Sequence, residues 1–311
     1  MAVRRERYLT MSLKERILLV ENLFISYPFL KLCLKKIEEC QQFSKLAAEP
    51  QCLLITGETG VGKSTLIKRH EAKFPRIDVN TGTIIPVLRT IVPIPATPKT
   101  MVTALLDGLG DPDPISGSTY AQTLRLLTLL KNCKTELIIL DEFQHFIDRE
   151  SDKVLGDISD WLKVLIEKWR KPVVLTGLPQ CMKVLAANSQ LKRRFSMRIV
   201  LTNFPWSKNA GKQSSPDVFS DDNNYKTFLK ALDDELPLAE SSNLADELIA
   251  RSIYDATNGS TAGTMKLIRR ATRIALRQKE EKIAIEHLAT AFNDLSMDVD
   301  GVGSNPFKEE K

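Results

Sequence analysis

The chain has 311 residues, a length that admits one large domain or two modest ones. Its 43% hydrophobic and 27% charged residues exclude a disordered or fibrous chain and fit an ordinary soluble globular protein. Forty-four Lys and Arg against 39 Asp and Glu leave a net charge of +5, which permits a polyanionic partner without demanding one.

The five cysteines, Cys33, Cys40, Cys52, Cys133 and Cys181, are odd in number and lack CxxC spacing, so they read as reduced, buried thiols. No apolar run approaches the roughly 18 residues of a membrane span. The opening MAVRRERYLT has basic residues but no apolar stretch behind them, so it does not read as a signal peptide. A cytoplasmic protein with no membrane partner is the expectation.

In chain order, Ser12 and Glu15 have capping-box spacing before a helix at about 12–24, and a second helix is expected at about 27–46. Residues 52–56 (CLLIT) are a buried strand, followed by a helix at about 63–73. Residues 84–92 (IIPVLRTIV) read as a second strand, and Pro98 opens a helix over 99–109. GDPDPISGS (110–118) is a loop before a helix at 119–131. Then come a strand at 136–140, an amphipathic helix at 152–170, a strand at 173–177, a short helix at 179–187 and a strand at 198–202. Strands alternating with helices predict a parallel sheet covered on both faces. Residues 205–222 turn polar and read as an insert or linker. Beyond it only helices are expected, at about 223–235, 242–256, 263–279 and 284–293, before a disordered tail. The expected division is a helical extension (1–46), an α/β nucleotide-binding core (47–204), the insert, a helical lid (223–295) and the tail (296–311).

Residues 57–64, GETGVGKS, match GxxxxGK[ST] in full, between an apolar strand and a helix. Glycines let backbone N–H groups turn toward phosphate oxygens, and the helix start favours the same anion. The ATP-binding residues are therefore Gly57, Glu58, Thr59, Gly60, Val61, Gly62, Lys63, Ser64 and Thr65. Lys63 is assigned to the β/γ-phosphates and the Ser64 hydroxyl to Mg2+. In LIILDEFQHF (137–146) the apolar strand ends on Asp141, a second Mg2+ ligand, and Glu142, which orients the attacking water as a general base. A second acid favours an ATPase over a kinase, because a kinase must exclude the water that an ATPase activates. His145, three residues beyond Glu142, reads as a structural hydrogen-bonder that fixes the Glu142 loop; no ligand spacing links it to His70 or His287.

The phosphate loop, the ILDE box and the helical lid resemble the AAA+ ATPases, an α/β P-loop fold with a small all-helical lid. GETGVGKSTLIKRHEAKFP (57–75), LIILDEFQHF (137–146), VVLTGLP (173–179) and LKRRF (191–195) resemble more closely the TniB/TnsC family, target-selection regulators of Tn7-like transposons, CRISPR-associated ones included. The resemblance spans about residues 12–290 and implies several roles. Thr176 occupies the position of a γ-phosphate sensor, or is a strand-end threonine satisfied by backbone. Arg193 and Arg194 match the position of the arginine finger that enters a neighbour's ATP site, with the choice between them open, or they form a solvated basic helix end. Lys266, in GSTAGTMKLIRRA, stands where the lid offers a second sensor, although the usual residue there is arginine.

The resemblance also implies a bacterial, DNA-associated protein that oligomerises as a ring or filament on duplex DNA. Lys99, Thr100, Ser118 and Thr119 are the implied backbone contacts, and an equally open reading makes them helix caps. The implied partners are a TnsB-like DDE transposase and a TniQ/TnsD-like targeting protein, with an RNA-guided CRISPR complex as one targeting route. Two alternatives share the core: a replication initiator or helicase loader, and a nucleotide-gated signalling NTPase that ignores DNA. The first usually carries a winged helix after the lid, and the second appended sensor repeats; neither is found in the sequence.

Overall fold

The computed structural model describes residues 5–43, 49–80, 82–147, 152–186, 188–206, 225–296 and 305–308. The expected insert therefore lies almost wholly outside the described residues. The chain forms two compact units, one of residues 32–202 and one joining residues 1–31 to 203–311.

In the first unit, five parallel strands build the sheet: β1 (Leu53–Gly57), β4 (Val87–Ile91), β5 (Leu137–Asp141), β6 (Val173–Gly177) and β7 (Met197–Leu201). They lie in the order β4-β5-β6-β1-β7, so β1 is inserted between β6 and β7. The central strands β1, β5 and β6 are buried throughout, which is why each reads as an unbroken apolar run. β7, at the edge, alternates instead, with Ile199 and Leu201 buried and Arg198 and Val200 exposed. Register pairs Leu140 with Leu175, and Ile55 with Thr176, so Asp141, Thr176 and Ile55 stand at one level. The carboxyl ends of β1, β5 and β6 thus meet at one edge, at the switch in strand order where α/β sheets bind ligands.

The helices of this unit include α2 (Pro28–Phe43, which starts within the other unit), α3 (Lys63–Glu71), α4 (Pro98–Leu109), α5 (Thr119–Asn132) and α6 (Asp152–Trp169). α7 (Met182–Ala186) and α8 (Ser189–Arg194) precede β7. Leu88, Met101, Leu105, Leu126, Ile138, Leu140, Phe143 and Leu162 are among the residues of one apolar core. Truncating any such leucine to alanine costs about 2–5 kcal/mol.

The expected strand 84–92 divides in two. A hairpin of β2 (Ile77–Val79) and β3 (Gly82–Ile84) comes first, and β4 begins only at Val87. Between them Pro86 has no N–H to donate, and its carbonyl accepts from Glu136 and Leu137 at 2.8 and 3.1 Å. The expected helix 179–187 is a 3-10 turn, Pro179–Cys181, running into α7.

The second unit is helical: α1 (Leu13–Glu21), α9 (Tyr225–Glu235), α10 (Glu247–Thr257), α11 (Thr261–Arg277) and α12 (Ile285–Ser296). The Ser12–Glu15 capping box opens α1 as the spacing predicts. Arg16 is buried on α1, donating to the Pro237 carbonyl at 2.9 Å and pairing with Glu281. That guanidinium holds the Glu281 carboxyl below the usual range. A disordered tail is not what residues 305–308 form. Phe307 is buried against Phe292, and Asn305 donates to the Ala289 carbonyl at 2.9 Å.

Candidate functional site: the carboxyl edge of the sheet

The phosphate loop leaves β1 at Gly57. A Cβ there would lie 2.3 Å from the Leu201 carbonyl oxygen, so only glycine lets β7 pass this closely. Gly62 caps α3 with φ +100°, a left-handed conformation that side chains disfavour. The first bond of α3 runs from Leu66 N–H to the Gly62 carbonyl at 2.9 Å. The N–H groups of Lys63, Ser64 and Thr65 therefore have no acceptor within the helix and suit an anion. Lys63 is buried, and its ammonium donates to the Gly57 and Glu58 carbonyls at 2.7 and 2.9 Å. Burial lowers its pKa, and the nearby Glu142 and Asp141 carboxylates oppose that shift. An amine held between a phosphate-binding loop and two acids is equipped to exchange carbonyl for phosphate oxygens.

Asp141 is only 3% exposed. Its Oδ1 accepts from the Thr176 hydroxyl at 2.6 Å and from the Glu142 N–H at 3.0 Å. Thr176, fully buried, commits its one O–H to this bond. Glu142 follows in a left-handed conformation (φ 56°, ψ 41°), an uncommon one for a residue with a side chain. It turns the chain off the strand into the 3-10 turn Phe143–Phe146 and leaves the Glu142 side chain half-buried.

The histidine and glutamine of this turn act locally. His145 Nδ1 bonds the Val92 carbonyl at 2.9 Å, and the His145 backbone N–H donates to the Glu142 carbonyl at 3.1 Å. It holds the turn to the end of β4, the structural part expected of it. Gln144 went unremarked in the sequence as a site residue. Its amide donates to the Glu142 carboxylate and accepts from the Leu178 N–H at 3.1 Å.

The oxygen donors Ser64 and Asp141 have the chemistry that Mg2+ prefers. Among the described residues no group of three or more His, Cys, Asp or Glu side chains is arranged to hold a metal by itself. The fit is to a cation that takes its remaining ligands from phosphate and water.

The arginines stand elsewhere. α8 ends three residues before β7, and the Arg194 carbonyl accepts from Cys52 N–H at 2.9 Å, at the amino end of β1. Four strand steps, about 13 Å, separate that edge from the phosphate loop. Arg194 is partly buried and pairs with Glu167 at 3.4 Å. Arg193 is exposed and makes no ion pair among the described residues. Lys266 lies exposed on α11, in the helical unit.

Of the remaining candidates, two hydroxyls serve as caps. Thr100 completes a capping box with Thr97 at the start of α4, and Ser118 Oγ accepts from Ala121 N–H at the start of α5. Lys99 is exposed, and the Thr119 carbonyl accepts from the Thr123 hydroxyl at 2.7 Å. A bond from Gln122 to Thr103 at 2.9 Å ties the first turn of α5 to α4, one turn beyond Thr119 and Thr100 respectively.

The fold is shared with proteins of known structure. The Aeropyrum pernix ORC1 protein, solved in complex with DNA, is 18% identical, with a TM-score of 0.60 over 91% of this chain and 70% of that one. The A. pernix ORC2 protein, solved in ADPNP–ADP complexes, is 13% identical, with a TM-score of 0.61 over 91% and 72%. A Walker-type ATPase of Pyrococcus abyssi is 15% identical, with a TM-score of 0.54 over 90% and 77%. No curated protein matches the sequence. The model of the bacterial TniB protein family matches residues 16–206, which take in the whole sheet and its phosphate loop. That match places the chain in the TniB family, as an AAA+ ATPase of the TniB/TnsC type, and the sheet order agrees with it.

Proposed function

We propose that this ATPase is a nucleotide-gated regulator of transposition: it assembles on duplex DNA with ATP bound, recruits and activates a DDE transposase there, and disassembles on hydrolysis. The observation that carries this reading is the separation of the site from its missing arginine. The phosphate loop and both acids occupy the carboxyl edge of the sheet, while Arg193 stands exposed near the amino edge. In this reading the arginine serves a neighbour's site rather than its own, and hydrolysis depends on assembly.

In this reading Lys63 and the α3 N-terminus bind the phosphates, and Ser64 and Asp141 hold Mg2+, which neutralises charge on the phosphates. Glu142 orients and polarises the attacking water. Thr176 positions Asp141 through its hydroxyl. Lys266 is assigned as the second sensor. Lys99, Thr100, Ser118 and Thr119 face DNA phosphates, contacts that position without reading sequence. A TniQ/TnsD-like protein or an RNA-guided complex chooses the target.

The likeness in fold to an ORC1 protein solved with DNA favours one second reading, a replication initiator or helicase loader. Imaging of the full chain with duplex DNA and ATP, ADP or a slowly hydrolysed analogue tests the assembly. Rings or filaments on DNA only with triphosphate are expected, and assembly indifferent to DNA at every salt concentration would overturn it. Glu142→Gln should bind ATP, lose about 100-fold or more in hydrolysis and persist on DNA; normal hydrolysis by that variant refutes the base assignment. Stimulation of strand transfer by a cognate transposase, rather than of helicase loading, separates the two readings.

A further inference from the structure

Glu142 has to present its carboxylate to a water in one orientation, and its own backbone does not secure this. The residue is strained at φ 56°, and its side chain is half-buried beside a loop. The group that touches the carboxylate is the Gln144 amide, two residues on and 8% exposed. The orientation of that amide is not arbitrary. The Leu178 N–H can only donate, so the atom 3.1 Å from it is the Gln144 carbonyl oxygen. The amide nitrogen therefore faces Glu142, and an ionised carboxylate can only accept. Both ends of the amide are used, each by a partner of the complementary kind.

The surroundings are fitted to this amide. Gly177 ends β6, and a Cβ there would lie 2.6 Å from Gln144 Oε1 and 2.4 Å from Cys181 Sγ. Glycine at 177 is what admits the Gln144 side chain to the end of the strand. The same strand end also serves the other acid, since Thr176 holds Asp141 at 2.6 Å. Three consecutive residues, Thr176, Gly177 and Leu178, thus fix both carboxylates, one directly and one through Gln144. Beyond Leu178 the chain continues through α7 and α8 to Arg193.

We infer that Gln144 is a positioning residue for hydrolysis: it pins one oxygen of the Glu142 carboxylate, leaves the other for the attacking water, and ties the base to the segment that carries Arg193. This rests on the reading of Glu142 as the base. Gln144 touches neither water nor nucleotide and acts only through Glu142.

The test uses the full chain with duplex DNA and MgATP, and measures kcat, KM and thermal stability. Gln144→Met keeps the length of the side chain and removes both bonds. Gln144→Glu keeps an acceptor for Leu178 but sets a carboxylate against Glu142. Both should lower kcat by about 10- to 100-fold with KM for ATP within about threefold, as expected for a misplaced reacting group. If Gln144 served only to satisfy the Leu178 N–H, Gln144→Glu would keep wild-type kcat, and that result overturns the inference. In a Glu142→Gln background, Gln144→Met should cost nothing further; a full additional loss means that Gln144 acts independently of the base, and also overturns it. Glu142→Gln alone separates the two levels. If that variant is inactive while both Gln144 variants hydrolyse normally, the positioning role fails and the base survives. If Glu142→Gln is as active as wild type, the base assignment itself is wrong.

Discussion

Arg193 and Arg194 are adjacent in sequence but differ in what they already hold. Arg194 is partly buried, and its guanidinium is engaged with Glu167 at 3.4 Å. An exposed or half-exposed pair of this kind contributes at most about 1 kcal/mol. Arg193 is exposed on the same short helix with no ion pair among the described residues. A residue that reaches into another subunit has to be free in its own, so Arg193 is the one we propose as the finger. Arg193→Ala should lower kcat about 1,000-fold or more, whereas Arg194→Ala should cost less activity and lower the melting temperature slightly. Mixing gives a sharper measurement. Lys63→Ala subunits keep the arginine but lack a working nucleotide site, and Arg193→Ala subunits are the reverse. Neither should hydrolyse ATP alone, while a mixture should recover activity at interfaces that join an intact site to an intact arginine. A mixture as inactive as its components would show that the arginine does not act between subunits.

At the scale of elements, Ser118 presents a test of two roles in one hydroxyl. It caps α5 by accepting from Ala121 N–H, and it is also a proposed contact to a DNA phosphate. Ser118→Ala should cost about 1 kcal/mol of stability, and Ser118→Gly only a few tenths, because glycine tolerates the cap conformation. If the hydroxyl also meets DNA, both variants lose DNA affinity equally, as read by fluorescence anisotropy; if it is a cap alone, affinity follows stability. The central strands were legible because burial on both faces leaves them purely apolar, and the phosphate loop because its chemistry fixes its spacing. The 84–92 run was not, since hydrophobicity continues across Pro86 while the pairing partner changes, from β2 before it to β5 after it. α1 is inverted relative to its pattern: Arg16 is buried and Leu18 exposed, because Pro237 and Glu281 lie too far along the chain to be anticipated. The Gln144 bridge was hidden for the same reason. DEFQH announces a family by its letters, but the partner that gives Gln144 a role, Leu178, arrives 34 residues later.

For the whole molecule, the proposed pairing of a site at one edge of the sheet with an arginine at the other would make the contact between copies heterologous. Such contacts repeat head to tail, closing into a ring or continuing as a helix according to the rotation between copies. Duplex DNA is a repeating polyanion that can run through either. A net charge of +5 is a mild excess, and in the proposed assembly affinity comes from many weak contacts made at once by neighbouring copies. This fixes what salt should do. Each phosphate neutralised by a lysine or arginine contributes about −0.9 to the slope of log affinity against log salt concentration. Measured with a slowly hydrolysed ATP analogue, Lys99→Ala should reduce that slope by about 0.9 per subunit bound, equally for duplexes of unrelated sequence. An unchanged slope would remove Lys99 from the interface, and a loss confined to one sequence would mean that it reads bases. With ADP the slope should fall toward that of a single copy if, as proposed, the triphosphate joins the copies whose contacts are being counted.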